Sequence, residues 1–272
     1  MEWFEETIND TLGLKVRVKQ KLYQHSGIQH IEIYETELGK MLVIDHKVQL
    51  IEDFEASYHE MLVHVPMILH ENPQKVLIIG GGDGGTAREV LKHDPQKVVM
   101  VEVDEQVVKA SKRYMKIDNG ALEDSRVDLL HENGIEYVKN SNERFNVLIV
   151  DGTDPTPVSE ALFTQEFYKR CSQITDYFSI QSQSPLIQSK DFREVYHKTA
   201  VFGYRRVYLS NVPMYPGGIW SFILGSDKPI KNELEEIERR FQERKINTEY
   251  YDPAVHCAAF SLPVWVQGLL KS

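Results

Sequence analysis

Val76-Leu77-Ile78-Ile79-Gly80-Gly81-Gly82-Asp83-Gly84-Gly85-Thr86-Ala87-Arg88-Glu89-Val90-Leu91 decides the fold. The apolar opening reads as a strand buried on both faces of a parallel sheet. It breaks into glycines and resumes at helical spacing through Ala87, Val90 and Leu91. Strand, glycine turn and helix in that order make a nucleotide-binding α/β unit. Glycines there let the backbone approach a ligand closely. Asp83 is out of place for a phosphate, which needs bare N–H groups. A loop with a built-in carboxylate suits a ligand that carries positive charge.

Working outward, residues 98–104, 126–130 and 145–150 read as further strands, and 107–114 as a helix with Asp104 as its N-cap. Helices follow at 164–174 and 192–202, and strands at 177–181, 206–209 and 219–224. Residues 231–245 form a strongly charged helix expected to be mostly solvated. Upstream, residues 52–69 place Tyr58, Met61, Leu62 and Val65 on one helical face. Before that, residues 15–24 and 28–33 alternate with period two, and Asp45-His46-Lys47 turns a hairpin between two apolar runs. The chain therefore divides into a small antiparallel β domain, residues 1–51, and an α/β domain with a doubly wound sheet, residues 52–272. Ligands bind such sheets at the carboxyl ends of the strands. The residues at those ends are Asp83, Glu102, Asn133, Asp151, Asp154, Gln181 and Tyr215.

Composition sets outer bounds. The 272 residues are 42% hydrophobic and 26% charged, with a net charge of −10. That balance argues against nucleic acid, which is bound by clustered Lys and Arg. Cys171 and Cys257 stand far apart, in no zinc-like or disulfide-framework spacing, which fits a reducing compartment. The acidic start, Met1-Glu2-Trp3-Phe4-Glu5-Glu6, reads as neither signal peptide nor membrane span. A soluble cytoplasmic protein is expected.

Glu102 lies about 20 residues beyond the glycine loop, where an acid binds both hydroxyls of a ribose. Loop and acid together indicate an adenosine-like ligand, and leave NAD and S-adenosylmethionine derivatives both open. Asp151 and Asp154 fit ordinary turn chemistry. Yet they open into the same crevice as Asp83 and Glu102, and four carboxylates there repel unless a cation is bound. His59 and His64 are five residues apart, roughly 140° round a helix, so they do not share a zinc-binding face. An organic cation is the better reading, and no metal is expected. Taken alone, Tyr58, Tyr215 and Trp220 read as core aromatics, His59 as structural and Gln49 as a plain strand residue.

Several segments resemble the polyamine aminopropyltransferases, the spermidine synthase family. They are Tyr58-His59-Glu60-Met61, the glycine loop with Arg88 to His93, Val101-Glu102-Val103-Asp104, Asp151 to Pro155, Leu162-Phe163, Phe167-Tyr168, Val212 to Trp220, and Tyr250 to Pro263. The resemblance spans nearly the whole chain. It implies a β domain on a methyltransferase-like Rossmann domain, assembled as a homodimer or homotetramer. It also implies transfer of the aminopropyl group of decarboxylated S-adenosylmethionine, a co-substrate, to a diamine or polyamine, most simply putrescine. The products are spermidine and methylthioadenosine, and no cofactor is required. On the donor side it implies Gln49, Gly80, Gly82, Asp83 for the ammonium, Glu102 for the ribose, and Asn133 and Gly134 at the adenine. Asp151 becomes the general base, with Tyr58 and Tyr215 orienting the amine. His59, Asp154, Gln181 and Trp220 fall on the acceptor side.

The chain departs from the family pattern at Asn133, at Thr156-Pro157-Val158-Ser159, at Gln183, and over residues 52–56. These departures keep a weakly active or non-catalytic polyamine-binding paralogue in view. A methyltransferase using intact S-adenosylmethionine is the other alternative, and Asp83 and the Asp151/Asp154 pair count against it. An NAD oxidoreductase is the weakest, because Asp83 would face a pyrophosphate.

Overall fold

A computed structural model describes residues 2–154 and 159–271. Thr156, Pro157 and Val158 of the divergent loop lie outside the described residues.

The N-terminal sheet is an antiparallel meander of β1 (Glu2–Thr7), β2 (Gly13–Ser26), β3 (His30–Thr36), β4 (Gly39–Ile44) and β5 (Lys47–Ile51). Asp45 and His46 both take positive φ, 50° and 62°, as a two-residue hairpin turn requires. Strand β1 was not anticipated: its charges suggested no element, but it is an edge strand with Trp3 half exposed.

The second sheet contains β6 (Lys75–Gly80), β7 (Lys97–Val101), β8 (Val127–Leu130), β9 (Phe145–Asp151), β10 (Thr175–Gln181), β11 (Tyr204–Asn211) and β12 (Ile219–Ser226). Among the described residues its order is β11-β12-β10-β9-β6-β7-β8. Strands β6 to β10 are parallel, and β12 runs antiparallel to both neighbours. Helices α1 (Ala56–Leu69), α2 (Gly85–Leu91), α3 (Glu105–Ala110), α4 (Gly134–Asn140), α5 (Gln165–Ile174), α6 (Ser189–Lys198), α7 (Leu234–Arg244), α8 (Pro253–Ala259) and α9 (Val264–Leu269) cover it. From β6 the strand order runs one way through β7 and β8 and the other way through β9. That switch point puts the ligand crevice at the carboxyl ends of β6 and β9.

Alternation along the strands divides the core. Val76, Ile78, Val98, Met100, Val147 and Ile149 pack on one face, while Leu77, Ile79, Val99, Val101, Leu148 and Val150 pack on the other. The first cluster also holds Ile31, Ile33, Met41 and Leu50 of the N-terminal sheet. One core therefore runs continuously from the small sheet through α1 to the large one.

Helix α1 differs from the amphipathic helix expected. It is buried on every side, from Ser57 to Leu69, because α2, α7 and strands β9, β10 and β11 pack around it. Helix α7 is mostly solvated, as its charges suggested, with Ile237 buried, yet two of its arginines are structural. Arg240 donates to the carbonyls of Ile68 and Leu69, and Arg244 to those of Met67, His70 and Glu71. Two guanidinium groups thus serve the C-terminal end of α1, where orphan carbonyls and the helix dipole favour cations. Helices α4, α8 and α9 were not read from the sequence; α4 and α8 start on side-chain caps from Asn133 and Asp252.

Candidate active site

The glycine loop fits against β9 so tightly that side chains are excluded. Gly80 pairs in register with Asp151, takes φ +85°, and would carry a Cβ 2.1 Å from the Asp151 carbonyl oxygen. Gly81 N–H donates to that oxygen at 2.9 Å. Gly85 opens α2 directly under His59, where a Cβ would lie 2.5 Å from Cε1.

The loop and the strand ends enclose a cleft of mixed polar and apolar lining, as small-molecule sites have. Gln49, Tyr58, His59, Gly80, Gly82, Asp83, Glu102, Asn133, Gly134, Asp151 and Tyr215 all line it. A second, smaller hollow is lined by Asp154, Gln181 and Trp220 together with Glu6 and Lys47. Gln49, Tyr58, Gly152 and Tyr215 border both, so the two are arms of one site. Every donor-side residue lies in the first arm. His59 is the misplaced one: the resemblance put it with the acceptor, whereas it borders the first arm and faces Asp83, because α1 directs it beneath Gly85.

Asp151 closes β9 in the first arm, one residue before Gly152, which borders both. Its Oδ1 accepts from the Tyr58 hydroxyl at 2.8 Å and its Oδ2 from the Thr86 hydroxyl at 2.6 Å. Burial, and next the charge of Asp83, raise its pKa against the opposing pull of His59, Thr86 and Tyr58. Asp83 moves the other way. Burial would raise it, but the charge of His59 and the Gly85 N–H, at 2.7 Å from Oδ1, hold it below the ordinary carboxylate value. The two acids therefore divide labour, one firmly ionised and one disposed to take a proton. Burial alone would lower the pKa of His59; Asp83 and then Glu55 outweigh it and hold it well above the ordinary histidine value.

Glu102 stands just past β7, accepting from Asp104 N–H at 2.9 Å. Burial, aided by the charges of Asp104 and Asp151, pushes it up to about 7. Asn133 caps α4, its Oδ1 accepting from Ile135 and Glu136 N–H. The oxygen expected to meet an adenine amino group is therefore already doubly engaged.

Tyr58 and Tyr215 meet edge to face, centroids 5.4 Å apart, and Tyr215 packs against Trp220 with centroids 4.5 Å apart. The Tyr215 hydroxyl donates to the Gln49 carbonyl at 2.7 Å, tying the small sheet to the site. The Gln49 side chain donates to the Lys47 carbonyl. Asp154 accepts from Gln188 at 3.1 Å, and burial raises its pKa. Gln181 accepts from Gln183 N–H at 3.0 Å. The Trp220 indole N–H is buried without a partner among the described residues.

One ligand atom each from His59, Asp83 and Asp151 lie within 4.8 Å of one another. The two ring nitrogens of His59 face Glu55 and Asp83, so either would give up a carboxylate partner to ligate a metal. Glu55, Thr86, Arg88, Glu6 and Lys47 were missed in the sequence. Glu55 was detectable as an acid four residues before His59; Thr86 looked like helix filler, and Glu6 lay on the unrecognised strand.

Residues 55–236 match the spermine/spermidine synthase domain, and residues 2–52 the spermidine synthase tetramerisation domain. The chain is 51% identical over 268 residues to the polyamine aminopropyltransferase of Archaeoglobus fulgidus, covering 98% of this chain and 97% of that one. It is 41% identical to that of Methanocaldococcus jannaschii, covering 99% and 95%. A crystal structure of spermidine synthase in complex with the transition-state analogue AdoDATO superposes with a TM-score of 0.95 at 38% identity, over 99% of this chain and 95% of that one. The spermidine synthase of Thermotoga maritima gives 0.93 at 38% identity, over 100% and 94%. With both of its sheets matched and its full length shared, the chain belongs to the polyamine aminopropyltransferase family.

Proposed function

We propose that this protein transfers the aminopropyl group of decarboxylated S-adenosylmethionine to putrescine, giving spermidine and methylthioadenosine. The observation that carries this is the two-armed site in which Asp151 lines the first arm and bonds to Tyr58, which borders both. The donor's ammonium sits on Asp83 and its ribose on Glu102, with Gln49, Gly80, Gly82, Asn133 and Gly134 completing that arm. Putrescine lies in the other arm, its distal ammonium toward Asp154 and Gln181 and its chain along Trp220.

The acceptor amine has a pKa near that of lysine, about 10.4 in water, and must lose a proton before it attacks. Asp151, with its raised affinity for protons, takes it. Tyr58 and Tyr215, whose hydroxyls burial keeps protonated, orient the nitrogen. The nitrogen lone pair forms a bond to the propyl carbon beside the sulfonium. The carbon–sulfur bond breaks, and its electrons neutralise the sulfur. Since the sulfonium is already a good leaving group, the protein supplies orientation and a base. Intact S-adenosylmethionine would bring its carboxylate toward Asp83, a repulsion in a dry pocket.

The match to a tetramerisation domain supports a homotetramer, which light scattering would show as about four times 31.5 kDa. Among the described residues no helix is long and apolar enough to cross a membrane, and we assign the protein to the cytoplasm. The deciding assay incubates the protein with decarboxylated S-adenosylmethionine and a panel of amines, followed by mass spectrometry. Equimolar spermidine and methylthioadenosine are expected with putrescine. No turnover with any amine, or turnover only with intact S-adenosylmethionine, sinks the reading.

A further inference from the structure

His59 is held between two carboxylates. Its Nδ1 lies 2.5 Å from Glu55 Oε2 and its Nε2 3.4 Å from Asp83 Oδ1. The residue is 1% exposed and its ring cannot turn away. Gly85 lies against one side, and the Tyr58 ring stands edge-on with centroids 5.3 Å apart. A carboxylate only accepts hydrogen bonds, so both ring nitrogens must carry hydrogen to face these two favourably. Only the imidazolium does so.

Glu55 is itself fixed from the other side. Arg88 Nη2 lies 2.9 Å from both of its oxygens. Arg88 is in turn anchored by Glu89 Oε1 at 2.6 Å and by the Ile117 carbonyl at 2.7 Å. The titratable groups acting on His59 are thus Glu55 before α1, Asp83 in the glycine loop, Asp151 at the end of β9, and Arg88 on α2 behind Glu55.

We infer that Glu55 and Arg88 are positioning residues that hold His59 as an imidazolium against Asp83, and that this charged pair sets the site's affinity for the donor's ammonium. The inference rests on the donor reading of Asp83 proposed above. Its physical content is a charge allocation. Asp83 and Asp151 share one crevice, and two neighbouring carboxylates tend to share a proton. A cation beside Asp83 alone breaks the tie: Asp83 stays ionised for the ammonium, and Asp151 receives the proton of the reaction.

Glu55→Gln separates this from a merely structural role. Its amide donates to Nδ1, so a neutral ring with hydrogen on Nε2 is satisfied, while its oxygen still faces Arg88. Nitrogen NMR of the histidine-labelled wild-type protein at neutral pH should show His59 protonated on both nitrogens, and the variant should show a neutral ring. Calorimetry then compares decarboxylated S-adenosylmethionine with methylthioadenosine, which lacks the ammonium. The variant should bind the first about tenfold more weakly, the factor worth one pKa unit, and the second unchanged. Donor KM should rise by the same factor, acceptor KM should hold, and donor affinity should be lost on acidification at a higher pH than in the wild type, because Asp83 no longer has a cation to keep it ionised. Arg88→Lys, which keeps the charge and loses the fork, should give the same split if Glu55→Gln does not fold. A neutral His59 in the wild type, or equal loss for both nucleosides, overturns the inference. Wild-type protein that binds neither nucleoside overturns the donor reading and the ammonium half of the inference, while the NMR result still decides the charge of His59.

Discussion

At the scale of single residues, the site works by giving chemically similar acids different environments. Asp83, Asp151 and Glu102 all line one cleft, yet one is held ionised and two are pushed toward protonation. Asp151→Asn should lower kcat by about 10²–10⁴-fold, the usual share of a general base, while leaving donor binding nearly intact in calorimetry. Unchanged turnover would mean the proton goes elsewhere. Glu102 gives a pH test. In the proposed donor reading it binds a ribose as a carboxylate, so kcat/KM for the donor should fall as pH drops below about 7. The same shift bears on stability. An acid whose folded-state pKa is raised binds its proton more tightly folded than unfolded. Stability is therefore lost as pH rises from 4.5 to about 7. Glu102→Gln should raise the stability of the unliganded protein at pH 8 by about 2 kcal/mol while weakening donor binding. A lower melting temperature would contradict this account.

At the scale of elements, two contacts carry disproportionate weight. Arg244 serves three carbonyls at the end of α1, the helix that delivers Tyr58 and His59 to the cleft. Arg244→Ala leaves those carbonyls without their donor, and should cost about 2–3 kcal/mol in urea denaturation; an effect under half of that would show the contact is replaced by solvent. Gly80 has no tolerance for a side chain. Its Cβ would strike the Asp151 carbonyl and its φ is left-handed. Gly80→Ala should therefore cost about 2–4 kcal/mol and displace Asp151 in the cleft. Normal activity in a stable Gly80→Ala variant would show that the strand ends are less tightly coupled than the register implies.

At the scale of the whole molecule, the two sheets share a core and a site. Ile31, Met41 and Leu50 pack in the same cluster as Met61 and Val76. Tyr215 bonds to Gln49, and Gln29 N–H donates to Asp104 at 3.2 Å. Residues 52–272 alone would expose the apolar surface that packs in one cluster with Ile31, Met41 and Leu50, a patch of the kind that drives aggregation. That fragment should be insoluble or loosely packed, seen as lost near-ultraviolet circular dichroism. A cooperative melt of the fragment would show that the N-terminal sheet is dispensable for folding.

The sequence by itself determined the backbone of this protein's organisation. The apolar run into Gly80, the glycines around Asp83 and the acid at Glu102 are local signals, each set by the period and chemistry of neighbouring residues. They were enough for the α/β class, the family resemblance and the list of acids that line the cleft. What only the tertiary structure decided depends on partners distant in the chain. Whether α1 had a solvent face depended on α2, α7 and strands of the large sheet, which meet it from different directions. Whether Asp151 or Asp83 keeps its proton depends on burial and on His59, which lies on another element. Whether His59 faces donor or acceptor depends on how α1 crosses α2 at Gly85. Periodicity reports which residues are apolar, but the electrostatic state of a buried group is set by everything within a few ångströms of it, and sequence does not order neighbours by distance.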